Sequence, residues 1–236
     1  MIDRLIRGGV AALALAVAVT SAGEAQRRSP APQGLLGING SVLRPVGEFR
    51  DFVDWGGGLG LYGVFHLDRG GTIGIRLDGS FMVYGHESFE APFSETIHRV
   101  RLEVNTDNAI VSLGIGPQLS LDLGRLRPYA YGTAGFSYFA TVSSVRGTDS
   151  SEGFASTTNF DDATLALGGG GGLLVRVKGG PHPVSIDLAV QGIYNGEAEY
   201  LREGGIRENA NGSLTLLPIV SQANNVTFKF GVAVGL

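Results

Sequence analysis

The stretch Thr72–Tyr84, TIGIRLDGSFMVY, alternates strictly between two kinds of residue. Its odd positions are Ile73, Ile75, Leu77, Gly79, Phe81 and Val83, and its even positions are Gly74, Arg76, Asp78, Ser80, Met82 and Tyr84. Period two sends these sets to opposite faces of a β-strand. One face is therefore apolar, and the other is small, polar and charged. The preceding run repeats the pattern, with Leu59, Leu61, Gly63, Phe65 and Leu67 against Gly58, Gly60, Tyr62, Val64 and His66. Asp68-Arg69-Gly70-Gly71 between the two runs is tight-turn chemistry, so the pair reads as an antiparallel hairpin.

Six further segments carry the same alternation. They begin near Leu36, Ala109, Pro128, Leu165, Val184 and Val226, and the last runs to Leu236. The sequence thus predicts eight strands of about ten to thirteen residues each. Their connections alternate in length. Asp68–Gly71, Asp122–Arg125 and Lys178–Pro183 are short; Arg44–Trp55, Gly85–Asp107, Thr141–Asp162 and Tyr194–Asn225 are long and polar. Short turns at one end and long loops at the other are the pattern of a membrane barrel, and an even strand count returns both termini to the short-turn end.

An eight-stranded barrel can also be soluble, with a polar outside. Charge placement separates the two cases. Arg76, Asp78, Arg176, Asp187 and Lys229, which sum to +1, all lie on the small polar face, and the opposite face of the same strands carries no charge. A cation on the lipid face near the bilayer midplane costs about 2–4 kcal/mol, so a membrane barrel turns its charges inward. The expected fold class is all-β: an eight-stranded antiparallel up-and-down transmembrane β-barrel. Its expected lumen network is Arg76, Asp78, Gln118, Arg176, Asp187, Gln191 and Lys229, with Tyr62, Tyr129 and Tyr131 around them. Arg176 and Asp187 flank the last short turn and are expected to pair across it. The set reads as a plug of ion pairs, or as a gate that opens when pairs exchange.

Residues 1–25 read as a signal peptide and 26–236 as the barrel domain. Arg4 and Arg7 precede the ten apolar residues Val10–Val19, too few to span a bilayer, and Gly23-Glu24-Ala25 supplies small residues for cleavage. The chain contains no cysteine, which excludes a disulfide framework and thiolate chemistry. A net charge of −4 gives no basic footprint for nucleic acid. Hydrophobic residues at 43% exclude a disordered chain.

Trp55–Phe65 (WGGGLGLYGVF) resembles the glycine-rich second strand of the outer-membrane β-barrel domain family, the small OmpA/OmpX-type barrels of Gram-negative bacteria. Gly116-Pro117-Gln118-Leu119 and Arg127-Pro128-Tyr129 resemble that family's central hairpin. Phe228–Leu236 (FKFGVAVGL) resembles its C-terminal assembly signal, departing from it at Leu236, where an aromatic residue is usual. The resemblance implies an outer-membrane location, partnership with outer-membrane lipids and lipopolysaccharide, and insertion by the barrel-assembly machinery. An eight-stranded barrel has an interior that side chains nearly fill, so the expected role is structural or surface recognition, with a narrow channel or carrier for small solutes as the alternative and a lipid-modifying enzyme as the second.

Catalytic and cofactor motifs do not assemble. Gly58-Leu-Gly60-Leu-Tyr-Gly63 matches a dinucleotide fingerprint but lies inside a strand with no following helix. His66, His86, His98 and His182 make no metal-ligand spacing. His86-Glu87-Ser88 offers a base, an acid and a nucleophile, but adjacent strand residues alternate faces. No enzyme activity, metal or cofactor is expected, and loop composition names no extracellular ligand. Glycine, at 38 residues, is about 16% of the chain against a usual share of about 7%, and several of these residues fall on the polar face: Gly58 and Gly60 in strand two, Gly114 and Gly116 in strand four, Gly168, Gly170 and Gly172 in strand six. They read as clearance inside a narrow barrel, with any cavity expected beside strands two and six.

Overall fold

The computed structural model describes residues 32–92, 101–147, 153–202, 204–208 and 214–236. The signal-peptide reading of 1–25 lies outside them. Eight strands close into one barrel: β1 (Gly34–Pro45), β2 (Gly56–His66), β3 (Ile73–Pro92), β4 (Arg101–Ser120), β5 (Leu126–Gly147), β6 (Gly153–Lys178), β7 (Val184–Asn195) and β12 (Asn225–Gly235). Each pairs antiparallel with its sequence neighbour, and β1 pairs antiparallel with β12 to close the ring, from Leu35↔Gly235 to Pro45↔Asn225. Both ends of the described chain meet at the short-turn end, where the Gln33 amide donates to the Leu236 carbonyl.

The three short turns lie where the sequence places them. Each uses a glycine in the left-handed region: Gly71 (φ 65°), Gly124 (φ 81°) and Gly180 (φ 107°). In the first turn Asp68 accepts the amides of Gly70 at 3.1 Å and Ile73 at 2.8 Å. Those amides hold its carboxyl below the ordinary carboxylate range.

Two expectations about length need correction. β3, β4, β5 and β6 span 20, 20, 22 and 26 residues, against 11 or 12 for the other four barrel strands. Much of the predicted loops Gly85–Asp107 and Thr141–Asp162 therefore continues as paired hairpin. These extensions carry polar residues without a clean alternation, so the period-two signal stops while the backbone ladder continues. The fourth long connection also holds structure. β8 (Glu197–Tyr200) pairs with β11 (Ile219–Gln222), and β9 (Ile206–Glu208) pairs with β10 (Leu214–Leu216). The first carries a short 3-10 helix, Gly47–Asp51.

The face assignment holds strand by strand. Arg76, Asp78, Asp187, Thr227 and Lys229 are buried in the lumen, whereas Leu61, Phe65, Leu167 and Phe230 are at least 60% exposed outward. In β3 the register slips between Val83 and Gly85, a bulge that reverses which parity faces in. Beyond it Gly85 shares the inner face with buried Asn108, and His86 turns outward opposite Asp107.

Candidate functional site in the barrel lumen

At mid-lumen the side chains of β2, β3, β4, β5, β7 and β12 converge. Asp78 takes two donors from Arg76, Nε at 2.8 Å and Nη2 at 2.6 Å, and its other oxygen accepts Lys229 Nζ at 2.9 Å. Arg76 Nη1 donates to Gln118 Oε1 at 3.0 Å, and Gln118 Nε2 donates to Ser120 Oγ at 3.1 Å. The Arg76 guanidinium lies over the rings of Tyr62 and Tyr131, at 3.8 and 4.2 Å from their centroids. Tyr62 and Tyr129 each donate a 2.7 Å hydrogen bond to Asp187. Arg76 and Lys229 thus balance Asp78 and Asp187, and the layer is neutral as a unit. Such a layer is stable only while every member keeps its partner.

Glycine makes room for it. A side-chain carbon at Gly172 would stand 2.6 Å from the Tyr129 hydroxyl, and one at Gly170 would stand 2.9 Å from the Tyr131 ring carbon bearing its hydroxyl. One at Gly37 would run into the ring of Tyr62. The clearance reading therefore holds beside strand six. A small cavity of about 20 Å³ sits there too, lined by Asp78, Ser112, Thr133, Gly168 and Gln191. That volume suits a single water molecule. Beside strand two the inner positions are filled, because Asn39 and Tyr62 occupy the space next to Gly60 and Gly37.

Of the seven candidate residues, Arg76, Asp78, Gln118 and Lys229 form one network, and Asp187 joins it through the tyrosines that flank Arg76. Gln191 lines the small cavity. Arg176 does not pair with Asp187. Register sets Leu174 opposite Asp187 and Arg176 opposite Ser185, one step nearer the short-turn end, where Arg176 meets Asp122 at 3.4 Å. Arg176 and Asp187 are not equally spaced from the turn: the Lys178↔Val184 pair would carry on to Arg176↔Ile186, and the register shift at Arg176/Lys178 moves Arg176 one residue further, to Ser185.

The sequence reading missed two features. Arg127, seen only within the Arg-Pro-Tyr motif, turns inward and is buried; its parity with Tyr129 and Tyr131 is the signal that finds it. The second is a stopper at the long-loop end. Inward-facing Leu43, Met82, Tyr84, Ile110 and Phe139 meet Phe49 and Val53 from the first loop, and Ala198, Tyr200 and Ala223 from the fourth. Phe49 packs edge-on against Tyr84 and Tyr200, at 5.6 and 5.3 Å between centroids. Tyr84 donates to the Leu201 carbonyl, Tyr200 shares a 2.8 Å hydrogen bond with Ser221, and Asn195 Nδ2 donates to the Ala223 carbonyl.

On the outer face His86 Nδ1 meets Asp107 Oδ1 at 2.7 Å, both side chains being about half exposed or more. The cross-strand acid of His86 is thus Asp107, and Ser88 lies two residues along from His86 opposite Asn105. Among the described residues no group of three or more metal-ligating side chains comes together.

No known protein family and no curated protein matches the chain in sequence. Solved structures match in fold. Neisserial surface protein A is similar over 87% of this chain and 99% of its own, with 12% identity and a TM-score of 0.51. OprG from Pseudomonas aeruginosa covers 88% of this chain and 98% of its own, at 13% identity and a TM-score of 0.47. Ail of Yersinia pestis, bound to the heparin analogue sucrose octasulfate, covers 86% and 97%, at 13% identity and a TM-score of 0.44. The chain has the fold of the eight-stranded outer-membrane barrels.

Proposed function

We propose that this chain is an integral outer-membrane protein with a structural or surface-recognition role, rather than an open channel. The observation that carries the reading is the double closure of the lumen. A neutral network fills the middle, an apolar stopper fills the long-loop end, and about 20 Å³ of free volume adjoins the network. The apolar outer face supports the membrane part of the reading. A continuous belt of exposed Leu, Ile, Val and Phe all round a barrel far exceeds what a soluble monomer leaves open to water. Hydrocarbon is the solvent that suits it. The barrel-assembly machinery inserts it, reading Phe228–Leu236, and lipopolysaccharide and phospholipid then surround it. The extended hairpins β3–β4 and β5–β6 stand above the belt and present the surface on which recognition would act. No catalytic role is assigned.

The test is conductance. In planar bilayers the purified barrel should show no steady ohmic channel at moderate voltage. A stable open level in the wild-type protein would overturn the closed reading in favour of a narrow channel. Lys229→Glu leaves Asp78 facing a second carboxylate and should create flicker only if the network acts as a gate.

A further inference from the structure

We infer that the short-turn mouth of the barrel is a binding site for a phosphate group, held by Arg125, Arg127 and Arg176. These three line a hollow of about 10 Å³ together with Ser185, Pro32 and Pro183. The hollow has room for about one oxygen atom, and a tetrahedral anion would seat one oxygen there and leave the others at the rim.

Charge bookkeeping at this end leaves a deficit of anions. Arg127 is only 5% exposed, yet among the described residues no carboxylate pairs with it. Its Nη2 reaches the Gly71 carbonyl and His66 Nε2, and neither partner is an anion. Its Nε is fully buried with no hydrogen-bond partner. A buried guanidinium normally holds a carboxylate in its fork, as Arg76 holds Asp78 a few residues away. The carboxylates near Arg127 are already engaged. Asp68 serves the amides of Gly70 and Ile73, while Asp122 serves the Gly124 amide and, at 3.4 Å, Arg176. Three guanidiniums therefore line one hollow to which no carboxylate contributes, and Asp122 holds only Arg176, at 3.4 Å. Exposed Arg69 and Lys178 on the adjoining turns add to the positive field. Leaving a buried donor unpaired is unfavourable, and an oxyanion supplies what Arg127 lacks. Guanidinium forks suit phosphate geometry better than they suit a spherical anion.

A phosphate can arrive as the free ion or as a phospholipid headgroup, and the experiment separates the two. The full chain, folded in octyl glucoside, is titrated with inorganic phosphate while the arginine Nε–Hε resonances are followed by NMR. A second sample is placed in nanodiscs with and without phosphatidylglycerol. The expected result is a saturable shift of the Arg127 Nε–Hε signal, one site per chain. Arg127→Gln should abolish it. If that variant does not fold, Arg125→Gln, on the exposed turn, should weaken binding about tenfold, and Asp122→Asn should strengthen it. A shift with inorganic phosphate assigns the free ion, and a shift only with phosphatidylglycerol assigns the lipid. An Arg127 signal that responds to neither overturns the site, as does binding that Arg125→Gln leaves unchanged. The site depends on the side chains at the turns, so it can fail while the closed-barrel reading stands.

Discussion

Midway along the lumen, Arg76, Asp78 and Lys229 hold one another by charge, whereas at the long-loop end Phe49, Tyr84, Phe139 and Tyr200 hold one another by apolar contact. The charged layer is built from strand residues whose directions the barrel dictates, so no member can move away if another is lost. The stopper draws half its residues from loops, which can lift away as a unit. The first layer should therefore be brittle and coupled to the whole fold, and the second soft and local.

Removing the shared anion is the hardest blow to that distinction. Asp78→Ala leaves two cations buried without their carboxylate, and breaking a buried pair in this way costs about 3–5 kcal/mol. Urea unfolding in lipid vesicles should show that loss across the whole barrel. A cost below about 1 kcal/mol would mean that Asp187 or water replaces the missing anion, and that the layer is not brittle.

Phe49→Ala attacks the stopper instead. Truncating a fully buried phenylalanine costs about 3 kcal/mol or more where the site cannot collapse. Here the loss should stay in the lid. Amide exchange in β8 and β11 should accelerate while exchange in β2, β7 and β12 stays slow. If barrel amides accelerate equally, the two layers form one cooperative unit and the contrast fails. The variant should still conduct no steady current, because the charged layer remains beneath.

The two layers also differ in how far the sequence reveals them. Arg76 and Asp78 announce their face because their chain neighbours Ile75 and Leu77 are apolar, and the same logic places Asp187 and Lys229. Pairing partners are less legible. Alternation gives the face but not the depth, so Arg176 looked matched to Asp187, whereas the ladder sets it opposite Ser185 and within reach of Asp122. The stopper had almost no signal. Phe49 and Tyr200 lie in polar loops about 150 residues apart, and only closure of the barrel brings them into contact. His86 shows a third kind of loss: the bulge at Val83/Gly85 reverses parity, and nothing in the local residue pattern marks it.

The smallest test concerns pH, and it is read at the stopper. Burial raises the Tyr200 phenol above its ordinary value of about 10, and the Glu48 carboxylate pushes the same way, while the hydrogen bond with Ser221 works against them. A raised value in the folded state means that the fold favours the protonated phenol. Its contribution to the lid is therefore complete below about pH 10 and is lost as pH rises through the raised value. Trp55, the only tryptophan, follows the Phe49 segment and reports on the first loop by fluorescence. Its signal should change in the alkaline range while barrel circular dichroism stays constant. Tyr200→Phe should cost the lid about 1 kcal/mol at neutral pH through the lost Ser221 bond, and should move the alkaline change to higher pH. If the variant opens at the same pH as the wild type, another group sets the transition, and buried Tyr84, which packs edge-on against Tyr200 at 6.1 Å, is the next to replace.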